Sequence, residues 1–193
     1  MRFRTPRSLA LLVTLLAVVL VGPVSPAGAS TTTVDVVNYA FTPASVQVAM
    51  GSTVSWHFHG DHTTTSNQGF WNSGERTSGA FNVVFSDAGN FAYHCAMHPF
   101  MTGVVRVPMK STGRPLKGYR LTWSIRSMTP VALRYDVQYK LSGAKTWRSF
   151  RAATSSRAGR FNPARSGNYL VRARTRKAGK ASGWSAALHL KIS

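Results

Sequence analysis

The feature that most limits the folds open to this chain is a two-residue alternation, repeated along its length and broken by turns. Residues 53–58, TVSWHF, place Val54, Trp56 and Phe58 on one face and Ser55 and His57 on the other, the side-chain period of a strand. Residues 90–95, NFAYHC, set Phe91, Tyr93 and Cys95 on a single face. TTVDVVNYA, SVQVAM, GAFNVVFS and TGVVRVP follow the same rule, and almost no helical period is present. About seven short strands in roughly 80 residues predict a β-sandwich.

A second set of strands follows: YRLTWSI, LRYDVQYKL, TWRSFR, NYLVRARTR and AALHLKIS. Tyr135, Val137 and Tyr139 alternate with polar neighbours, as do Tyr169, Val171 and Ala173 with Arg172 and Arg174, the pattern of half-buried antiparallel strands. Between the two sets, PMKSTGRPLKG is polar, basic and interrupted by Pro and Gly, and reads as a linker. The expected organisation is all-β, with one sandwich over residues 30–108, a linker over 109–118 and a second sandwich over 119–193.

Residues 1–29 are set apart from this. Arg2, Arg4 and Arg7 precede the apolar run LALLVTLLAVVLV, and PAGAS offers small residues for cleavage near Ala29. That is the pattern of a secretory signal. The run is short for a membrane span and no second apolar stretch follows. The mature chain is therefore expected to be secreted or associated with the cell envelope, and not transmembrane.

Charge divides the chain at the same place as the strands. Residues 30–109 carry two bases, Arg76 and Arg106, against four acids, a net of −2. Residues 110–193 carry 19 bases against Asp136 alone, a net of +18. A shift this abrupt argues for two modules with different surfaces.

The chain has one cysteine, Cys95, in the stretch FAYHCAMHPFMTG. In an oxidising compartment an unpaired thiol pairs with another chain, sits buried and inert, or binds a metal. Here Cys95, His98 and Met101 are spaced C-x2-H-x2-M on one strand-to-loop turn. A thiolate and imidazoles in a plane with a weak axial thioether suit copper. Zinc is the weaker choice, since methionine is a poor zinc ligand and structural zinc sites usually use several cysteines. A second histidine has to come from WHFHGDHTTTS, which holds His57, His59 and His62. A Cys–His pair also serves nucleophilic catalysis, but Met lies beyond the histidine and no oxyanion loop is evident, so an enzyme is not expected.

With these residues in view, residues 34–107 resemble the cupredoxins, in particular the short-loop plastocyanin/amicyanin-like group. The matching runs are YAFTPASVQVAMGSTVSWHF, then His62, then FSDAGNFAYHCAMHPFMTGVVRV. The resemblance implies a Greek-key β-sandwich with one type 1 (blue) copper ion near one end. By position it implies His62, Cys95 and His98 as in-plane ligands and Met101 as the axial one. His57 and His59 are left as exposed strand-edge residues or a minor second copper site, and alternation away from Cys95 turns His94 outward. Where the family often has Asn after the first ligand, this chain has Thr63, which puts in doubt the tie between the two ligand loops. The resemblance implies single-electron transfer between Cu(II) and Cu(I), with a redox partner docking near Met97, Pro99 and Phe100. Copper sequestration or delivery without a dedicated redox partner is the alternative, and an adhesion protein with a minor copper site is a third reading.

Residues 119–193 resemble a fibronectin type III-like sandwich, on RLTWSI, RYDVQYK, TWRSF, NYLVRARTR and GKASGWSAAL. This implies a spacer, adhesion or docking module without chemistry of its own. Its charge implies salt-sensitive attraction to anionic cell-wall or surface polymers. RARTRK places Arg172, Arg174 and Arg176 on one strand face. The aromatics read as core, so no specific nucleic-acid role is expected.

Overall fold

The computed structural model describes residues 28–126 and 133–193. The leader expected over residues 1–29 lies, apart from its last two residues, outside them. Among the described residues no helix is long and apolar enough to cross a membrane.

The first unit has eight strands: β1 (Thr31–Val37), β2 (Ala40–Thr42), β3 (Ser45–Gln47), β4 (Ser52–Phe58), β5 (Thr65–Ser66), β6 (Ala80–Phe85), β7 (Gly89–His94) and β8 (Thr102–Val107). They form two sheets, ordered β2-β1-β4-β6 and β3-β8-β7-β5. The chain crosses repeatedly between the sheets, and the β1–β4 and β3–β8 pairs run parallel. Alternation decides what lies between the sheets. Val54, Trp56 and Phe58 of β4 are buried from one side, and Phe91 and Tyr93 of β7 from the other. Trp56 meets Tyr93 edge-on at 5.4 Å between ring centroids, and Phe85 meets Phe91 at 5.5 Å. Rings of this size dominate core energetics, each such pair adding about 0.5–1.5 kcal/mol beyond area burial.

The described residues of the second unit form eight more: β9 (Lys110–Arg114), β10 (Gly118–Thr122), β11 (Arg134–Leu141), β12 (Arg148–Thr154), β13 (Ala158–Phe161), β14 (Gly167–Lys177), β15 (Lys180–Ala181) and β16 (Leu188–Ile192). One sheet is β13-β10-β9; the other runs β12-β11-β14-β15, with β16 also on β14. Leu121 and Trp123 are buried with Tyr135, Val137, Val171 and Ala173. Phe161 stacks edge-on against both Tyr139 and Tyr169.

The stretch read as a linker, 109–118, is not one. Lys110–Arg114 pairs antiparallel with β10 from Thr122 back to Gly118, and Met109 is buried. The alternation that marks a half-buried strand is missing because β9 is an edge strand, held by its ladder and exposed along most of its length. Gly113 is required there: with φ of 138°, a Cβ would lie 2.3 Å from the Gly118 carbonyl oxygen.

The two units are joined by more than chain continuity. The β6–β7 turn meets the second sandwich: Ala88 N–H donates to the Trp123 carbonyl at 2.8 Å, and Asn90 and Gly183 exchange backbone hydrogen bonds at 2.9 and 2.8 Å. Thr175 Oγ1 donates to the Ala88 carbonyl at 2.8 Å. Asp87, 4% exposed, accepts from Arg126 Nε at 2.6 Å and from Tyr135 O–H at 2.9 Å. These contacts sit at the start of β7, whereas Cys95 follows its end. Six residues at about 3.3 Å each put the second unit roughly 20 Å along the strand from that cysteine.

Candidate metal centre

Cys95 is fully buried, and its Sγ lies 3.8 Å from His62 Nδ1 and 3.6 Å from His98 Nδ1. The three ligand atoms lie within 4.8 Å of one another. His62 is buried and His98 half-buried. Among the described residues this is the group of three His, Cys or acidic side chains able to hold a metal ion.

Each ligand is held by a different piece of local structure. Cys95 follows directly on β7, and the strand period carried one residue further turns it inward with Phe91 and Tyr93. His98 and Met101 lie on a compact loop closed by three backbone hydrogen bonds. His98 N–H donates to the Cys95 carbonyl at 3.2 Å, Met101 N–H to the His98 carbonyl at 2.8 Å, and Cys95 N–H to the Met101 carbonyl at 3.0 Å. The loop therefore returns Met101, 2% exposed, beside the cysteine backbone.

His62 comes from the segment between β4 and β5. It exchanges backbone hydrogen bonds with Arg76 at 3.1 and 3.0 Å, and Arg76 in turn lies over the rings of Phe58 and Phe81. Thr64 N–H donates to Ser73 Oγ at 2.8 Å, and Trp71 Nε1 donates to Thr64 Oγ1 at 3.1 Å. Residues 71–76 thus clamp the first ligand segment, a role that carries no signal in the sequence because most of these bonds use backbone atoms.

Thr63 makes the connection that the missing Asn put in doubt. Its N–H donates to Cys95 Sγ at 3.3 Å, and its hydroxyl oxygen accepts from Ala96 N–H at 2.7 Å. A hydrogen bond to the sulfur is one of the levers by which surrounding groups tune a metal. Burial lowers the pKa of His62, the neighbouring His98 lowers it further, and Asp61 opposes both. The neutral imidazole is the form that binds a metal.

The remaining histidines are placed elsewhere. His57 Nε2 lies 2.9 Å from Ser55 Oγ, and exposed His59 lies 3.3 Å from Asp35 Oδ1. Neither joins a three-ligand group among the described residues. His94 points away from Cys95 and hydrogen-bonds to Asn67 Oδ1 at 2.7 Å. Tyr39, which sequence reasoning passed over, stands against both ligand imidazoles, at ring-centroid distances of 4.7 Å from His98 and 5.9 Å from His62.

No protein-family model matches the chain, and no curated protein matches it significantly. Solved structures do. A methionine-to-leucine variant of amicyanin in its oxidised state is 26% identical, covering 39% of this chain and 79% of that one, with a TM-score of 0.36. A purple cupredoxin from Nitrosopumilus maritimus is also 26% identical, covering 39% of this chain and 97% of that one, with a TM-score of 0.36. A reduced tryptophan-to-tyrosine variant of amicyanin is 26% identical, covering 44% and 86%, with a TM-score of 0.37. With TM-scores below 0.5, the weight rests on the site itself. A buried thiol flanked by two imidazole Nδ1 atoms, with a thioether side chain on the same loop, is consistent with a type 1 copper site.

Proposed function

We propose that this chain is an exported one-electron carrier built on a type 1 copper site. His62, Cys95 and His98 would hold the copper ion as its strong ligands, and Met101 would add a weak thioether ligand. The observation that carries the reading is the convergence of both Nδ1 atoms on one wholly buried Sγ. The donor set fits: two imidazoles and a thiolate are the trigonal set of blue-copper sites. Copper would supply a one-electron Cu(II)/Cu(I) couple at this position. The chain's own residues fix the ligands before metal arrives, exclude water from the sulfur and hold a hydrogen bond on it from Thr63 N–H.

Burial of the thiol favours this over nucleophilic chemistry, since no substrate reaches a sulfur that is 0% exposed. The hydrogen-bonded loops favour it over copper delivery, which needs ligands that let go. His98 is the half-buried ligand and the proposed point of electron entry. Around it Met97 and Phe100 are 41% and 72% exposed, and Pro99 is exposed as well, an apolar collar suited to a redox partner.

The second unit is proposed as a fibronectin type III-like module that holds the copper unit at a polyanionic envelope surface. Its three-stranded and larger sheets suit that architecture, and Tyr169 O–H donates to the Arg165 carbonyl at 2.7 Å, a tyrosine corner of the kind immunoglobulin-like sandwiches use. Its charge is partly engaged already. Arg174 and Arg176 bind Asp136, and Arg172 lies between Trp147 and Trp184 at 3.9 and 4.5 Å. The free attraction therefore comes from exposed bases such as Arg134, Arg148 and Arg151.

The test is direct. The purified full chain given one equivalent of copper(II) should turn intensely blue and bleach with a mild reductant. A colourless complex would refute the type 1 assignment. A blue protein that exchanges electrons slowly and surrenders copper readily would favour sequestration or delivery.

A further inference from the structure

The β1–β2 connection has only two residues between the paired Val37 and Ala40. Both have positive φ, 37° at Asn38 and 65° at Tyr39. Two-residue hairpins of this kind prefer Asn at the first position and Gly at the second. The chain follows the first preference and breaks the second with a large aromatic side chain in the left-handed region, where a Cβ is strained. The ring gains little burial in return, being 59% exposed. Strain without burial needs another compensation, and strained residues gather at functional sites.

The contact Tyr39 makes supplies one. Its ring meets His98 at 4.7 Å and 84°, and His62 at 5.9 Å and 88°, edge-to-face in both cases. Phe100 adjoins the same pair, 6.0 Å from His98 and 6.2 Å from Tyr39. His62 and His98 are themselves 5.2 Å apart. A turn from the opposite sheet therefore lays one ring against both imidazoles, and it reaches the ligand that the loop leaves half exposed.

We propose that Tyr39 is a positioning residue that holds the His98 and His62 imidazoles in their ligating orientation and covers the site against loss of the metal. A swing of the His98 ring out of its ligating orientation disrupts its edge-to-face contact with Tyr39. The strained turn is retained because it places an aromatic ring where glycine would leave only water. The assignment rests on the copper reading above, but its first consequence concerns the metal-free chain.

The experiment compares the full-length chain with Tyr39→Gly and Tyr39→Phe. Glycine suits the backbone at this position, so the variant should fold with a thermal midpoint equal to or above that of the parent. In metal-free protein, ¹⁵N and ring-proton NMR should show His98 in one orientation in the parent and averaged over several in Tyr39→Gly. After loading, copper(I) should pass from Tyr39→Gly to a chromogenic copper(I) chelator at least tenfold faster than from the parent, and Tyr39→Phe should restore the slow rate. An ordered His98 ring in metal-free Tyr39→Gly, or a transfer rate within twofold of the parent, overturns the proposal. So does a Tyr39→Phe variant that behaves as Tyr39→Gly, because the ring and not the phenol oxygen makes the contact. If the parent takes up no copper, the copper reading falls, while the NMR comparison still decides what Tyr39 does.

Discussion

Thr63 and Cys95 are linked directly: the Thr63 backbone N–H donates to Cys95 Sγ at 3.3 Å, across 32 residues of sequence. The Thr63 side chain continues the link, accepting from Ala96 N–H at 2.7 Å and hydrogen-bonding with Thr65 Oγ1 at 3.0 Å. Thr63→Val keeps the shape and the sulfur hydrogen bond but leaves Ala96 N–H without its acceptor. That hydrogen bond is only partly buried, so its loss costs about 0.5–1.5 kcal/mol. Urea denaturation should show that loss for Thr63→Val and most of it recovered in Thr63→Ser. Equal stability of all three would mean that the tie carries no load. The copper-loaded Thr63→Val protein should also show a shifted reduction potential, since the residue next to the cysteine loses its tie to the His62 segment.

The second prediction concerns the join between the two units. Asp87 receives Arg126 Nε at 2.6 Å and Tyr135 O–H at 2.9 Å, and its side chain is 6% exposed. Burial, opposed by Ser124 and reinforced by Asp87, pushes the Tyr135 phenol up to about 12, so it remains a donor throughout the neutral range. Asp87→Ala removes both bonds and leaves the Tyr135 hydroxyl with Ser124 alone beside it. Hydrogen bonds to charged groups contribute about 1.5–3 kcal/mol each, and Arg126 is partly solvated, so a loss of about 2–4 kcal/mol is expected. In calorimetry the variant should unfold in two separated steps where the parent unfolds in one. A single transition at the parent's midpoint would show that the units are coupled elsewhere.

How much of this was legible beforehand follows from where the information lies. Alternation announced β4 and β7, because Val54, Trp56, Phe91 and Tyr93 must all enter one core. The C-x2-H-x2-M spacing announced the ligand loop for a similar reason, since a short loop off a strand end leaves few directions for its side chains. Strand β9 was illegible because an edge strand can be polar throughout and still complete a ladder. The clamp of residues 71–76 on His62 uses mainly backbone groups, which every residue has. Tyr39 was hidden for a different reason. Its role depends on a turn conformation that its own residue type disfavours, so reading residue preference points away from it.

The third prediction tests the ligand roles. Cys95→Ser replaces the thiolate by a hydroxyl that is not ionised near neutral pH, so the blue colour should vanish while the fold persists, because the substitution is nearly isosteric. Met101→Leu keeps a buried side chain of similar volume, and such exchanges usually cost less than about 1.5 kcal/mol. The colour should survive and the reduction potential should move, as expected if the thioether is a weak axial ligand. Absorption spectra and voltammetry of the two variants read both outcomes. A Cys95→Ser protein that stays blue would remove the sulfur from the site, and an unshifted potential in Met101→Leu would remove the methionine.

The fourth prediction is a pH dependence set by one carboxylate. Asp136 is the sole acid among residues 110–193. Burial raises its pKa, but Ala153 N–H at 2.8 Å, Arg174 Nε at 2.7 Å and Arg176 Nη1 at 3.3 Å outweigh that and hold the carboxyl below its ordinary value. A carboxylate whose folded pKa lies below its unfolded value stabilises the fold above the unfolded pKa, and that contribution disappears as pH falls through the folded one. The parent should therefore hold its Asp136 contribution down to about pH 4 and lose it progressively below, with the ordinary carboxylate pKa as the upper edge of the window. Asp136→Asn should be less stable at pH 7 by about 1–2 kcal/mol, the lower part of the range for charged hydrogen bonds, because both arginines are about one-third exposed. It should also show a flatter dependence below pH 4. Denaturant midpoints at pH 7 and pH 3 decide it. A difference between parent and variant that stays constant across the two pH values would mean that neutral hydrogen bonding, and not the ionised carboxylate, holds β11 to β14.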